Sequence, residues 1–129
     1  IERTRERVAL AARLADARGR ATLARALDAA EQGWTAAGTA QRSPCLVHSD
    51  PNPGNVMWLP GDGPLLLLDW EYAHLGDPLQ DPASWLQACP ALRDRQQPLL
   101  QACGLADVAD VAMLDGMVAV YDALARAWR

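Results

Sequence analysis

Apolar residues recur at helical spacing toward both ends of this chain and bunch into short runs in its middle. In residues 2–18, Val8, Ala11, Leu14 and Ala15 share one face, which predicts an amphipathic helix. Gly19 predicts a break. A second helix is expected over residues 20–32, with Leu23, Ala26, Leu27 and Ala30 as its apolar stripe. Gly33 would end it, and Trp34 would fold back on the last turn. Residues 35–44 are small and polar and read as a loop. The pattern then changes. Leu46 and Val47 predict a short strand. Residues 56–59 and 65–68 are two apolar runs flanking Pro60-Gly61-Asp62-Gly63, which predicts a hairpin. Their nearly continuous apolar character predicts burial on both faces.

Residues 70–81 have no period and carry turn residues, so they read as a loop crossing the hairpin's end. Helical signals return at Asp81-Pro82, where the Asp can cap a helix whose first residue is the Pro, with Trp85 and Leu86 facing inward. Pro90 stops that helix, and residues 93–102 form another, ended by Gly104. The last helix is expected to start near Ala106-Asp107, with Val111, Leu114, Val118, Tyr121, Leu124 and Trp128 as one stripe. There is no internal repeat. The expected class is mainly α (α+β): a helical bundle with one small β-hairpin.

Composition narrows this picture. A length of 129 residues suits one domain with a real core, and half the residues are hydrophobic. The longest apolar run, at residues 64–68, is far too short for a membrane helix, and no secretory signal is visible. The net charge of −4 argues against a nucleic-acid-binding surface spread over the chain. No membrane and no nucleic-acid partner is therefore expected. Cys45, Cys89 and Cys103 are odd in number and widely spaced, so they read as reduced thiols of a cytoplasmic protein. Seven arginines in the first 25 residues are interleaved with Glu2, Glu6 and Asp16 and read as solvated helix faces.

Candidate chemistry collects between residues 45 and 82. Asp50 and Asn55 lie in the turn-rich segment His48-Ser49-Asp50-Pro51-Asn52-Pro53-Gly54-Asn55, and Asp69 follows the second apolar run. A hairpin at Pro60-Gly61-Asp62-Gly63 would carry Asp69 back beside Asn55. Two carboxylates and an amide oxygen would then surround one small space, a donor set that suits Mg²⁺. The prolines and glycine stiffen the loop that must hold Asp50 and Asn55.

His48-x-Asp50, Asn55 five residues later, and an Asp at the end of a later strand form the layout of a kinase catalytic and metal-binding loop. In this the chain resembles the aminoglycoside phosphotransferase and choline kinase superfamily. Asp69-Trp70-Glu71-Tyr72-Ala73, followed by Gly76-Asp77-Pro78 and Asp81, is similar to the choline- and thiamine-kinase side of it. Pro51 and Asn52 stand where many aminoglycoside-type members carry an apolar residue and a His, which also favours that branch. The resemblance implies the C-terminal lobe of a protein-kinase-like fold, with ATP and Mg²⁺ as co-substrate and cofactor and a small-molecule acceptor. It implies Asp50 as catalytic base, Asn55 and Asp69 as Mg²⁺ ligands, and His48, Asp77 and Asp81 as structural supports. Glu71 either supports the metal or touches substrate. Trp70, Tyr72 and Trp85 are candidate substrate-binding residues, since aromatic faces and a carboxylate hold cationic amines.

All twelve basic residues are arginine, and no Gly-rich loop precedes Asp50. Kinases of this kind anchor ATP phosphates with an N-terminal lysine and loop. The expectation is therefore a C-terminal portion of a longer enzyme, silent by itself, with a homodimer through the surface left by the missing lobe as one outcome. Two other readings stand beside it: a metal-dependent hydrolase using His48, Asp50, Asp69 and His74, and a non-catalytic binding domain that keeps the fold.

Overall fold

The computed structural model describes residues 2–14, 16–36, 42–105 and 108–127. In chain order the elements are α1 (Glu2–Leu14), α2 (Ala17–Ala36), β1 (Cys45–Val47), a 3-10 turn (Pro53–Asn55), β2 (Val56–Trp58), β3 (Leu65–Leu67), β4 (His74–Gly76), α3 (Gln80–Ala88), a second 3-10 turn (Pro90–Arg95), α4 (Gln96–Ala102) and α5 (Val108–Ala127). The chain is mainly helical, and its strands form two small antiparallel ribbons. It divides into two compact units, Ile1–Ala40 with Asp107–Arg129, and Gln41–Ala106.

In the first unit α2 packs along α5, and α1 packs on both. Val8, Ala11, Leu23, Val120, Ala123 and Leu124 form its buried cluster, with Ala12, Ala26, Leu27 and Tyr121 against it. Alanines on the facing stripes let the helices approach closely. α1 ends at Leu14 and α2 begins at Ala17, so Gly19 lies inside α2 and not at a break. The reason is local: Asp16 Oδ1 accepts the Gly19 N–H at 2.7 Å and Asp16 O accepts the Arg20 N–H at 2.9 Å, so Asp16 caps α2. α2 also runs through Gly33. One glycine costs a helix only about 1 kcal/mol, which packing along a neighbouring helix outweighs. The expected positions of Trp34 and Trp128 lie outside the described side chains. Arg5 Nε meets Glu31 Oε1 at 2.8 Å, an exposed pair of little energetic weight.

The second unit carries the ribbons. β2 and β3 pair as the expected hairpin, with Val56 opposite Leu67, Met57 opposite Leu66 and Trp58 opposite Leu65. The expected burial on both faces is not found: Met57, Trp58, Leu65 and Leu68 are exposed. A two-stranded ribbon with no layer on its outer face cannot bury both. A second ribbon was not foreseen. β1 pairs β4 with Cys45 opposite Gly76, Leu46 opposite Leu75 and Val47 opposite His74, so part of residues 70–81 is strand rather than loop. Val47 points into the core while Leu46 and Leu75 face out.

At the start of α3 the cap is not Asp81. Asp77 Oδ1 accepts the Leu79 N–H at 2.9 Å and Asp77 O accepts the Gln80 N–H at 3.0 Å. Pro82, Ala83 and Leu86 are buried, whereas Trp85 is only partly so. Gly104, at φ +71°, ends α4: Leu105 N–H donates to Leu100 O at 2.8 Å and Gly104 N–H to Gln101 O at 3.0 Å.

Leu23 is 1% exposed within the first unit's cluster. Leu23→Ala should therefore lower stability by about 2–5 kcal/mol, read from urea unfolding with an unchanged slope.

Candidate functional site

The loop after β1 is held from α3. Asp81 Oδ2 accepts the His48 N–H and Asp81 Oδ1 the Ser49 N–H, both at 2.8 Å. Two charge-assisted bonds from one carboxylate fix the direction of two successive peptides. They hold Ser49 in the left-handed region at φ +74°, a conformation that costs a non-glycine residue about 1–3 kcal/mol. The buried His48 ring lies between the loop and the hairpin. Its Nε2 is 2.7 Å from Leu68 O. A carbonyl only accepts, so Nε2 carries the hydrogen and Nδ1 accepts the Asp50 N–H at 3.3 Å. Trp70 meets the same ring edge-on, with centroids 4.8 Å apart, while its Nε1 donates to Leu67 O at 2.7 Å.

Asp50 and Asn55 are joined directly. Asn55 Nδ2 donates to Asp50 O at 2.9 Å and to Asp50 Oδ2 at 3.1 Å. That orientation of the amide leaves Asn55 Oδ1 facing away from Asp50. Asn52 caps the 3-10 turn between them, its Oδ1 accepting the Gly54 N–H at 2.8 Å. Asn55 O accepts the Leu68 N–H at 2.7 Å. Leu68 is thus held through its N–H by Asn55 and through its carbonyl by His48, and Asp69 is the next residue. Asp69 sits at φ +63°, also left-handed. Among the described residues no hydrogen-bond donor engages its carboxylate. The structure therefore brings Asp50, Asn55 and Asp69 to one place, tied by side chain on one side and by main chain on the other.

Trp70, Glu71 and Tyr72 form an exposed rim beyond Asp69. The Tyr72 phenol is pushed above its ordinary pKa, first by its hydrogen bond to Glu71 and that residue's charge, then by slight desolvation, then by Asp69 and Asp50. Carboxylates of the loop and of the rim thus act on one side chain. Trp85 lies on α3, and no ring contact or hydrogen bond joins it to this loop among the described residues. Asp77 closes the turn that leads into α3 and pairs with Arg42 Nη1 at 3.8 Å. The sequence pattern assigns Ser49 no role and His74 one only as a metal ligand in the hydrolase reading, yet Ser49 Oγ lies 3.0 Å from His74 Nδ1, which is also 3.0 Å from Tyr72 O.

The donor set bears on which ion fits. Both nitrogens of His48 and Nδ1 of His74 are already engaged. Among the described residues no group of three His, Cys, Asp or Glu side chains is arranged to hold a metal ion. That counts against the hydrolase reading, which needed the two histidines as ligands. What stays open is Asn55 Oδ1 with the Asp69 and Asp50 carboxylates, a small set of hard oxygens. Such a set fits an ion that takes its remaining ligands from water and phosphate.

Asp81 gives a test. In Asp81→Asn only one oxygen remains to accept, and one loop N–H faces an amide group. Stability should fall by about 1–3 kcal/mol in chemical denaturation. The same change should speed alkylation of Cys45. Burial, then the charges of Asp81 and Asp77, raise its thiol pKa, so less thiolate is present at a given pH. Removing one charge lowers that pKa, and the Cys45 peptide should react faster with iodoacetamide at pH 8, read by mass spectrometry.

No curated protein and no solved structure matches this chain significantly. A family model does: APH, described as the phosphotransferase enzyme family, matches residues 1–127. That span includes the Asp50–Asn55 loop, the hairpin, Asp69 and the helices of both units. The chain belongs to the phosphotransferase enzyme family.

Proposed function

We propose that this chain is the C-terminal catalytic lobe of a small-molecule kinase. It transfers the γ-phosphoryl group of Mg·ATP to a hydroxyl of a cationic amino alcohol of the choline, ethanolamine or thiamine kind, with an aminoglycoside as the other acceptor class. The observation that carries this reading is the double role of Asn55: its side chain holds Asp50, and its carbonyl holds Leu68 beside Asp69.

Asp50 is the base. The acceptor oxygen bonds to the γ-phosphorus as the bond to the β–γ bridging oxygen breaks, ADP departs, and the hydroxyl proton passes to the Asp50 carboxylate. Asn55 Nδ2 occupies one oxygen of that carboxylate and orients the other toward the acceptor. Asn55 Oδ1 and Asp69 would hold Mg²⁺, which would neutralise part of the phosphate charge. The acceptor's cation faces Trp70 and Tyr72, with Glu71 beside them; aromatic faces and carboxylates attract such a group.

In the full-length enzyme, Asp50→Asn should keep nucleotide affinity and lower turnover by a factor on the order of 10²–10⁴. Asp69→Ala should instead abolish Mg²⁺-dependent nucleotide binding, measured by titration calorimetry. An Asp50→Asn enzyme at wild-type rate would remove the base assignment.

Residues 1–129 alone should be silent toward choline, ethanolamine, thiamine and aminoglycosides. ATP carries more negative charge than Mg²⁺ neutralises, and this chain contains no lysine to meet the rest. Measurable phosphate transfer by it would overturn that part of the proposal.

A further inference from the structure

We propose that His74 is a positioning residue: through Ser49 Oγ it holds the peptide that presents Asp50. The inference rests on Asp50 being the base, as proposed above.

Ser49 is the hinge of the loop. Its φ is +74°, and only 4% of it is exposed. Asp81 fixes the N–H groups of His48 and Ser49, on the side of the hinge toward β1. On the other side, toward Asp50, the restraints are different. One is the long bond from Asp50 N–H to His48 Nδ1, at 3.3 Å. The other is the contact of Ser49 Oγ with His74 Nδ1, at 3.0 Å. A carbonyl only accepts, so Nδ1 carries the hydrogen and forks between Tyr72 O and Ser49 Oγ.

His74 is itself immobilised. It is the β4 residue opposite Val47, so its backbone is fixed to the strand that leads into the loop. Its far ring edge lies against Gly76, where an added Cβ would stand 3.1 Å from Nε2, 2.8 Å from Val47 Cγ2 and in collision with Gln80 Oε1. The same nitrogen that holds Ser49 also holds the carbonyl of Tyr72. His74 thus ties the loop carrying the base to the segment carrying the aromatic rim. A 1 Å displacement of a reacting group can cost about 10²-fold in rate, so this restraint acts on turnover rather than on nucleotide affinity.

The test uses the full-length enzyme. His74→Leu should lower kcat roughly 10- to 100-fold and leave KM for Mg·ATP unchanged. His74→Asn, which keeps an N–H near the place of Nδ1–H, should recover most of that loss. In a Ser49→Gly background, whose own rate is the baseline, His74→Leu should add less than about twofold, because the coupling through Oγ is already gone. An equal loss in both backgrounds would overturn the proposal. If His74→Leu does not fold, Ser49→Ala removes the hydroxyl alone and should show the same kcat loss; a wild-type kcat there overturns it. Asp50→Asn is measured alongside. If it retains full rate, the base assignment fails. The restraint is then read separately as faster amide hydrogen exchange at Ser49 in His74→Leu, and unchanged exchange overturns the restraint.

Discussion

The carboxylate of Asp81 holds two consecutive peptide N–H groups of the loop that follows β1, and the geometry of that loop depends on this contact. A single bond would leave the loop free to pivot; two bonds to the two oxygens of one planar group do not. The pair sets where His48 leaves the strand. It thereby sets where the imidazole meets Leu68 and where Asp50 begins. Asp81 can serve in this way because its carboxylate does not cap its own helix, which follows a turn closed by Asp77 on the Leu79 N–H. An acidic side chain in the first turn of a helix is also favoured by the helix dipole, so the clamp and α3 stabilise each other.

Two residues near this contact, Ser49 and Asp69, adopt left-handed backbone without being glycine. Such conformations persist only where surrounding bonds over-determine them. Ser49 has Asp81 and His74 to do so. Asp69 follows Leu68, whose N–H and carbonyl are both bonded. The strain falls on Ser49, which precedes Asp50, and on Asp69 itself, so the backbone beneath each carboxylate is fixed before charge arrives beside it.

Much of this was legible in the sequence. Val8, Ala11, Leu23, Leu114 and Leu124 keep helical spacing and are buried. The Pro60-Gly61-Asp62-Gly63 turn and its flanking apolar runs told of a hairpin, whose neck joins Asn55 to Leu68, the residue before Asp69. What was not legible is what long-range pairing decides. β4 is three residues long, too short to show a period, and its partner is β1, far away in the chain. That Asp81 does not cap α3 is decided by the distant loop whose N–H groups it accepts. The break at Asp16 rather than Gly19 is a local bond that the glycine masks. The exposure of the apolar hairpin residues follows from the number of layers, which their pattern does not encode.

The 2.7 Å bond between Asn55 O and Leu68 N–H closes a ring at the base of the hairpin. It is made of main chain, so no side-chain replacement short of a proline at position 68 can delete it. Everything between its two ends, residues 56–67, is then an appendage whose length the site does not sense. Extending a closed loop costs only about 0.6 kcal/mol per doubling. The hairpin tip is therefore a natural place for length variation or for an inserted reporter, a segment that can drift in sequence while the residues on either side of its neck stay in register.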